Sequence, residues 1–128
     1  MSERRPLIAT YMMASRPFGV IYVGMTNNLY RRATDHRLGR VPGFTKTHGC
    51  GLLVWCQPFE LVVTALRREE ALKRWNRAWK MQLIERRNPD WSDLYPWLCE
   101  GAPDPRLPDE DEGGVAAFLA RREAGLED

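Results

Sequence analysis

Two β-prone apolar runs open the chain. Leu7-Ile-Ala-Thr-Tyr-Met-Met13 and Val20-Ile-Tyr-Val-Gly24 have strand composition, and the six residues between them, including Pro17 and Gly19, fit a hairpin loop. A period of two puts Ala9, Tyr11 and Met13 on one face of the first strand and Val20, Tyr22 and Gly24 on one face of the second, so two tyrosines can meet. The period then lengthens. Thr26-Asn27-Asn28 reads as a helix entry with Asn28 as N-cap, followed by a helix from Leu29 to about Leu38 that ends at Gly39. Residues 41–49, rich in Gly, Pro, Thr and Lys, read as a loop. Gly51-Leu-Leu-Val-Trp-Cys56 makes a third strand, extending toward Phe59 past Pro58. From about Thr64 to Arg87 the pattern is helical, in one or two pieces, until Asn88-Pro89-Asp90 stops it; Trp91 to Leu98 packs back as a short aromatic segment. The order β-β-α-β-α with a close first hairpin predicts an α+β fold, a small antiparallel three-stranded sheet flanked by helices.

Helical spacing separates chemically similar neighbours. In the first helix Leu29, Arg32, Ala33 and His36 share a face, while Arg31 points nearly the opposite way. Arg32 is thus expected on the core side, where it needs an anion, either a carboxylate of this chain or a ligand. In the second, Ala65, Leu72, Trp79 and Leu83 define an apolar stripe with Trp75 on its edge. Glu69 and Asn76 fall inside it, and Glu70 outside. A carboxylate on that stripe needs a partner: an arginine such as Arg32, or a metal beside a phosphate. Gly24, at the end of its strand, would let backbone approach a ligand closely.

Charge changes the picture more than composition does. The 128 residues, 44% hydrophobic and 28% charged, suit one domain with one core. Net charge is only +2, but residues 1–99 carry sixteen Lys or Arg against eight acids, and residues 100–128 carry three against nine. A body of +8 favours polyanions. Residues 100–114, with three prolines and the run Asp109-Glu-Asp-Glu112, read as an acidic linker, and 115–125 as a short terminal helix. The domain is therefore expected over residues 1–98, with an acidic tail over 99–128. Cys50, Cys56 and Cys99 form no CxxC and suggest neither a disulfide framework nor a zinc ribbon. No run approaches a membrane span, and no apolar stretch of signal length follows the basic start. The expectation is a soluble cytoplasmic protein with no membrane partner.

Tyr11, Tyr22-Val23-Gly24, Thr26-Asn27-Asn28-Leu29, Arg31-Arg32 and His36, at these spacings, resemble the GIY-YIG nuclease domain. The likeness runs on through Val41-Pro-Gly-Phe-Thr-Lys46, Arg68-Glu69, Trp79-Lys80, Leu83-Ile-Glu85 and Asn88-Pro-Asp-Trp-Ser-Asp-Leu-Tyr95. The pattern is similar to small stand-alone bacterial GIY-YIG proteins labelled excinuclease-like or uncharacterised, and it covers residues 6–98. Only the tyrosine of the first triplet is kept, in Thr10-Tyr11-Met12, and the second triplet has valine for isoleucine.

The resemblance implies a one-metal phosphodiesterase. Glu69 would hold Mg²⁺ or Mn²⁺. Tyr11 would help activate the attacking water, nearby positive charge favouring its phenolate. Tyr22 would orient phosphate or water, Arg32 would stabilise transition-state charge, and His36 would transfer a proton or contact phosphate. Asn88 matches a polar position near the site. Gly24, Thr26, Arg31, Arg37, Arg40, Lys46, Lys73, Arg77 and Lys80 are candidates for the nucleic-acid surface. The reading is a divalent-metal-dependent endonuclease acting on DNA, in repair or recombination. The alternative is a non-catalytic nucleic-acid-binding module on the same fold; a third reading, a protein-interaction domain using the acidic tail, rests on composition alone.

Overall fold

A computed structural model describes residues 7–100; the acidic linker, the terminal helix and the first six residues lie outside the described part. Strands β1 (Ala9–Ala14), β2 (Ile21–Thr26) and β3 (Leu52–Pro58) form one antiparallel sheet in the order β2-β1-β3. The helices are α1 (Leu29–Arg37), α2 (Phe44–His48), α3 (Val62–Arg74), α4 (Arg77–Glu85) and α5 (Tyr95–Glu100). No helix among the described residues is long and apolar enough to cross a membrane.

The alternation on β1 divides the core in two. Ala9, Tyr11 and Met13 face Leu29, Ala33, Leu53, Cys56 and Leu94, with α1 and α5 on that side. Met12 and Ala14 face Val23, Trp55, Leu72, Trp75, Leu83, Ile84 and Trp91, with α3 and α4 covering them. The central strand is buried at every position, as expected of a strand with helices on both faces.

Four features depart from the sequence reading. Residues 44–48 form a short helix between Gly43 (φ 98°) and Gly49 (φ 64°), both in backbone regions that favour glycine, where a loop was expected. The long helix breaks after Arg74: Trp75 is extended, and the Asn76 side chain caps α4 by accepting from Trp79 N at 2.9 Å. Asn76 is thus an exposed cap rather than a member of the stripe. The charged residue buried against the sheet is Arg68, 1% exposed, while Glu69 is half-buried. Arg68 completes the Ala65–Leu72 face, three residues after Ala65 and four before Leu72. Its Nε donates to Gln57 Oε1 at 3.1 Å, and its guanidinium lies over the rings of Trp55 and Trp75, 5.7 and 5.4 Å from their centroids. Burial pulls its pKa down to about 10. Nη1 and Nη2 find no hydrogen-bond partner among the described residues.

Fourth, β3 carries a bulge. Met12 pairs with Trp55 but Met13 with Leu53, so Val54 is the inserted residue. Val54 and Trp55 consequently join the same core cluster.

Candidate active site

Tyr11 lies on the middle strand opposite Gly24 of β2. A Cβ at Gly24 would stand 2.5 Å from both Cζ and Oη of Tyr11 and 2.9 Å from Cε2 of Tyr22. The glycine therefore clears the space that the Tyr11 ring occupies. At the end of β2, Thr26 Oγ1 accepts from Asn28 N at 3.0 Å, and Asn28 Oδ1 accepts from Arg31 N at 3.2 Å, which starts α1. One helical face, Leu29, Ala33 and His36, is buried, and it delivers His36 to Tyr11.

Tyr11 Oη and His36 Nε2 are 2.8 Å apart, and His36 Nδ1 is 3.0 Å from Thr45 Oγ1 on α2. Burial, aided by the charge of Arg32, lowers the His36 pKa to about 4, so the imidazole is neutral at pH 7. One consistent pattern has Tyr11 donating to Nε2 while Nδ1–H donates to Thr45. Sequence reasoning did not single out Thr45; its one signal there was membership of the Val41–Lys46 stretch of the resemblance, and its burial, 4% exposed, is seen only in the fold.

Contrary to the expectation, the charges and burial around Tyr11 do not favour its phenolate. Arg32 does pull its pKa down, but burial first, then Tyr22 and Glu69, push it above the usual phenol value. Arg32 and Glu69 thus lie within electrostatic reach of the Tyr11 hydroxyl. Arg32 itself is solvent-exposed, contrary to the core-side expectation: its Cα lies on the buried face's flank, and its long side chain reaches out to water. With Thr26, Asn27, Asn28, Arg31 and Asp35 it lines an open cup of about 340 Å³.

Glu69 Oε2 receives Lys73 Nζ at 3.2 Å, one turn along α3. Among the described residues no group of three or more His, Cys, Asp or Glu is placed to hold a metal ion. The cation that Glu69 meets in the fold is the Lys73 ammonium.

The structure brings Tyr11, Tyr22, His36, Arg32 and Glu69 together, but gives Asn88 other work. Asn88 is 2% exposed; its Nδ2 donates to Val54 O at 3.0 Å and Ser92 O at 2.9 Å, and its Oδ1 accepts from Ser92 N at 3.0 Å. It serves the carbonyl of the bulged residue and closes the following turn, a packing role.

The nucleic-acid candidates divide similarly. Arg31 and Lys46 are exposed. Arg37 pairs with Asp93 and lies over the Tyr95 ring, tying α1 to the C-terminal segment. Arg40 approaches Asp35 at 3.6 Å. Arg77 donates to the Phe18 and Gly19 carbonyls, and Lys80 is half-buried, its pKa lowered by burial and by Arg77. Arg37, Arg77 and Lys80 therefore support the fold at least as much as a ligand.

Comparison with known proteins agrees with this geometry. Residues 7–82 match the model of the GIY-YIG catalytic domain. A UPF0213 protein of Vibrio parahaemolyticus is 37% identical over 65 residues, 51% of this chain and 61% of that protein. One of Staphylococcus haemolyticus is 34% identical over 67 residues, 52% of this chain and 82% of its own length. One of Aeromonas salmonicida is 33% identical over 92 residues, 70% of this chain and 66% of its own. The match thus spans less than two thirds of the Vibrio and Aeromonas proteins, and these relatives carry the UPF0213 designation rather than an excinuclease name. No solved structure matches the chain. With the tyrosine pair and the α1 arginine and histidine on one side of its three-stranded sheet, the α3 glutamate within electrostatic reach of Tyr11, and more than half of the chain matched, the chain belongs to the GIY-YIG domain family.

Proposed function

We propose that this chain is a nucleic-acid-binding domain that seats a backbone phosphate in the cup at the start of α1. The observation that carries this reading is the cup itself: Arg31 and Arg32 line it together with Thr26, Asn27 and Asn28 at a helix N-terminus, where two guanidinium groups and the positive helix end favour an anion. The +8 body adds long-range attraction for the polymer. Asp35 also lines the cup, but Arg40 stands beside it. DNA is the substrate favoured by the family.

Binding of this kind is salt-dependent. Anisotropy of a fluorescent oligonucleotide should report an affinity that falls about tenfold or more between 50 and 200 mM salt. An affinity that ignores salt would remove the phosphate from the account.

A second reading, metal-dependent phosphodiester hydrolysis, is favoured by the Tyr11–His36 contact. The 2.8 Å contact would make the pair a proton relay, the phenol oxygen accepting a proton from the attacking water in concert with passing its own to Nε2, because burial disfavours both a standing phenolate and a standing imidazolium. Arg32 would stabilise charge developing on the phosphate. The donor set fits Mg²⁺ or Mn²⁺ bound jointly by Glu69, water and substrate phosphate, because Mg²⁺ often takes only one or two carboxylates and keeps its waters. When bound, the cation would polarise the phosphate oxygens. Lys73 would have to leave Glu69, and its ammonium would then be available to the same backbone.

A further inference from the structure

An exposed aromatic surface adjoins the tyrosine cluster. Phe44, the first residue of α2, is 45% exposed, although a phenylalanine gains about 1.5–3 kcal/mol by burial. Its ring nevertheless has a fixed setting. It stacks on His48 with centroids 4.2 Å apart and planes at 27°, and on Tyr22 at 6.1 Å and 29°. His48 Nδ1 is 3.0 Å from the Phe44 carbonyl, which can only accept, so that nitrogen carries the proton. Thr45, the next residue, is anchored to His36 through Oγ1 and to Cys50 N through its carbonyl at 2.8 Å. Behind Tyr22 the rings continue inward, to His36 at 5.4 Å and from there to Tyr11 at 5.6 Å. Five rings thus form a row from the buried Tyr11 hydroxyl to the surface, and Lys46 projects from the same short helix as the outer two.

We propose that Phe44 and His48 are a stacking platform for an unpaired nucleobase, so that the preferred ligand is a single strand, or a nucleic acid with unpaired nucleotides beside the phosphate held in the cup. The inference rests on the nucleic-acid reading above and narrows its substrate class. Base faces are closed off inside a duplex and open in single strands, loops and flaps, where they stack on aromatic side chains with little regard to sequence. The platform has the needed properties: an apolar ring held in place before any ligand arrives, an exposed imidazole stacked on it as the outermost ring of the row, and a lysine for the adjoining phosphate. Tyr22 joins it to the cluster, since its ring neighbours both Phe44 and His36.

The test compares the wild-type chain, Phe44→Ala and Phe44→Trp, without metal at one low salt concentration. The ligands are a labelled single strand, the same strand carrying abasic sites, and a blunt duplex of the same sequence. Phe44→Ala should bind the single strand about tenfold more weakly and the duplex unchanged, while Phe44→Trp should retain single-strand affinity. Wild type should bind the abasic strand as weakly as Phe44→Ala binds the intact one. A ribose version of the strand should show the same loss in Phe44→Ala, because stacking does not read the sugar. If wild type binds strand and duplex but Phe44→Ala weakens neither, or weakens both equally, the platform is refuted while the nucleic-acid reading stands. If wild type binds no oligonucleotide, both fall. Matching urea midpoints for the three proteins would exclude misfolding as the cause.

Discussion

Gly24→Ala is expected to destabilise the domain by about 1–3 kcal/mol and to break the Tyr11–His36 contact, although it adds only one methyl group. The methyl carbon would fall 2.5 Å from Tyr11 Cζ and Oη and 2.9 Å from Tyr22 Cε2. Tyr11 has little room to retreat. It is 2% exposed and packed among Leu29, Ala33, Leu53 and Leu94. The backbone of Gly24 is not in the left-handed region, so the penalty is one of space and not of φ. Urea unfolding would measure the loss, and the imidazole NMR signals of His36 would report the departure of the phenol. Unchanged stability together with unchanged His36 signals would mean that the ring does not lie against this glycine.

Tyr11→Phe separates chemistry from binding. The ring, its packing and the cup are kept; only the hydroxyl facing His36 Nε2 is removed. Cleavage of supercoiled plasmid in Mg²⁺ or Mn²⁺ should fall about 10²–10⁴-fold, the range for a positioned proton-transfer group, while oligonucleotide affinity is kept. Stability should fall by about 1–3 kcal/mol, because the imidazole nitrogen loses its buried partner. A variant cleaving at the wild-type rate would leave Tyr11 a packing residue and move hydrolysis elsewhere. If the wild-type chain does not nick plasmid under these conditions, the binding reading alone stands.

The readable parts of this molecule are those in which a local period reports burial. The hairpin, the shared face of Tyr11 and Tyr22, the Asn28 cap and α1 follow from spacings of two and 3.6 together with one capping side chain. The α2 helix is one turn without an apolar stripe, set by two glycines at positive φ, and nothing in its composition separates it from a loop. The bulge at Val54 leaves strand composition intact, so neither it nor the role of Asn88 in serving its carbonyl could be read beforehand. Burial of Arg68 ran against the expectation that charges stay out, although its spacing, three residues after Ala65 and four before Leu72, was visible. Arg32 shows the limit of a helical wheel. The wheel gives the direction of a Cβ, and a side chain of that length can carry its charge from a core-side flank to solvent. The proximity of Tyr11, Tyr22, His36, Arg32 and Glu69 depends on the sheet order and on α3 crossing the strands, which only the assembled fold supplies.

The most direct test of the central claim, that the α1 cup holds a nucleic-acid phosphate, is single-strand affinity at fixed low salt for Arg32→Ala, Arg31→Ala and Arg86→Ala. All three remove one positive charge. Arg31 and Arg32 line the cup, whereas Arg86 caps α4 in the layer on the other face of the sheet. The cup substitutions should each weaken binding about tenfold, as expected for a charged hydrogen bond, and Arg86→Ala should leave it near wild type. Equal losses in all three would mean attraction by net charge alone, and a larger loss at Arg86 would put the ligand on the opposite face.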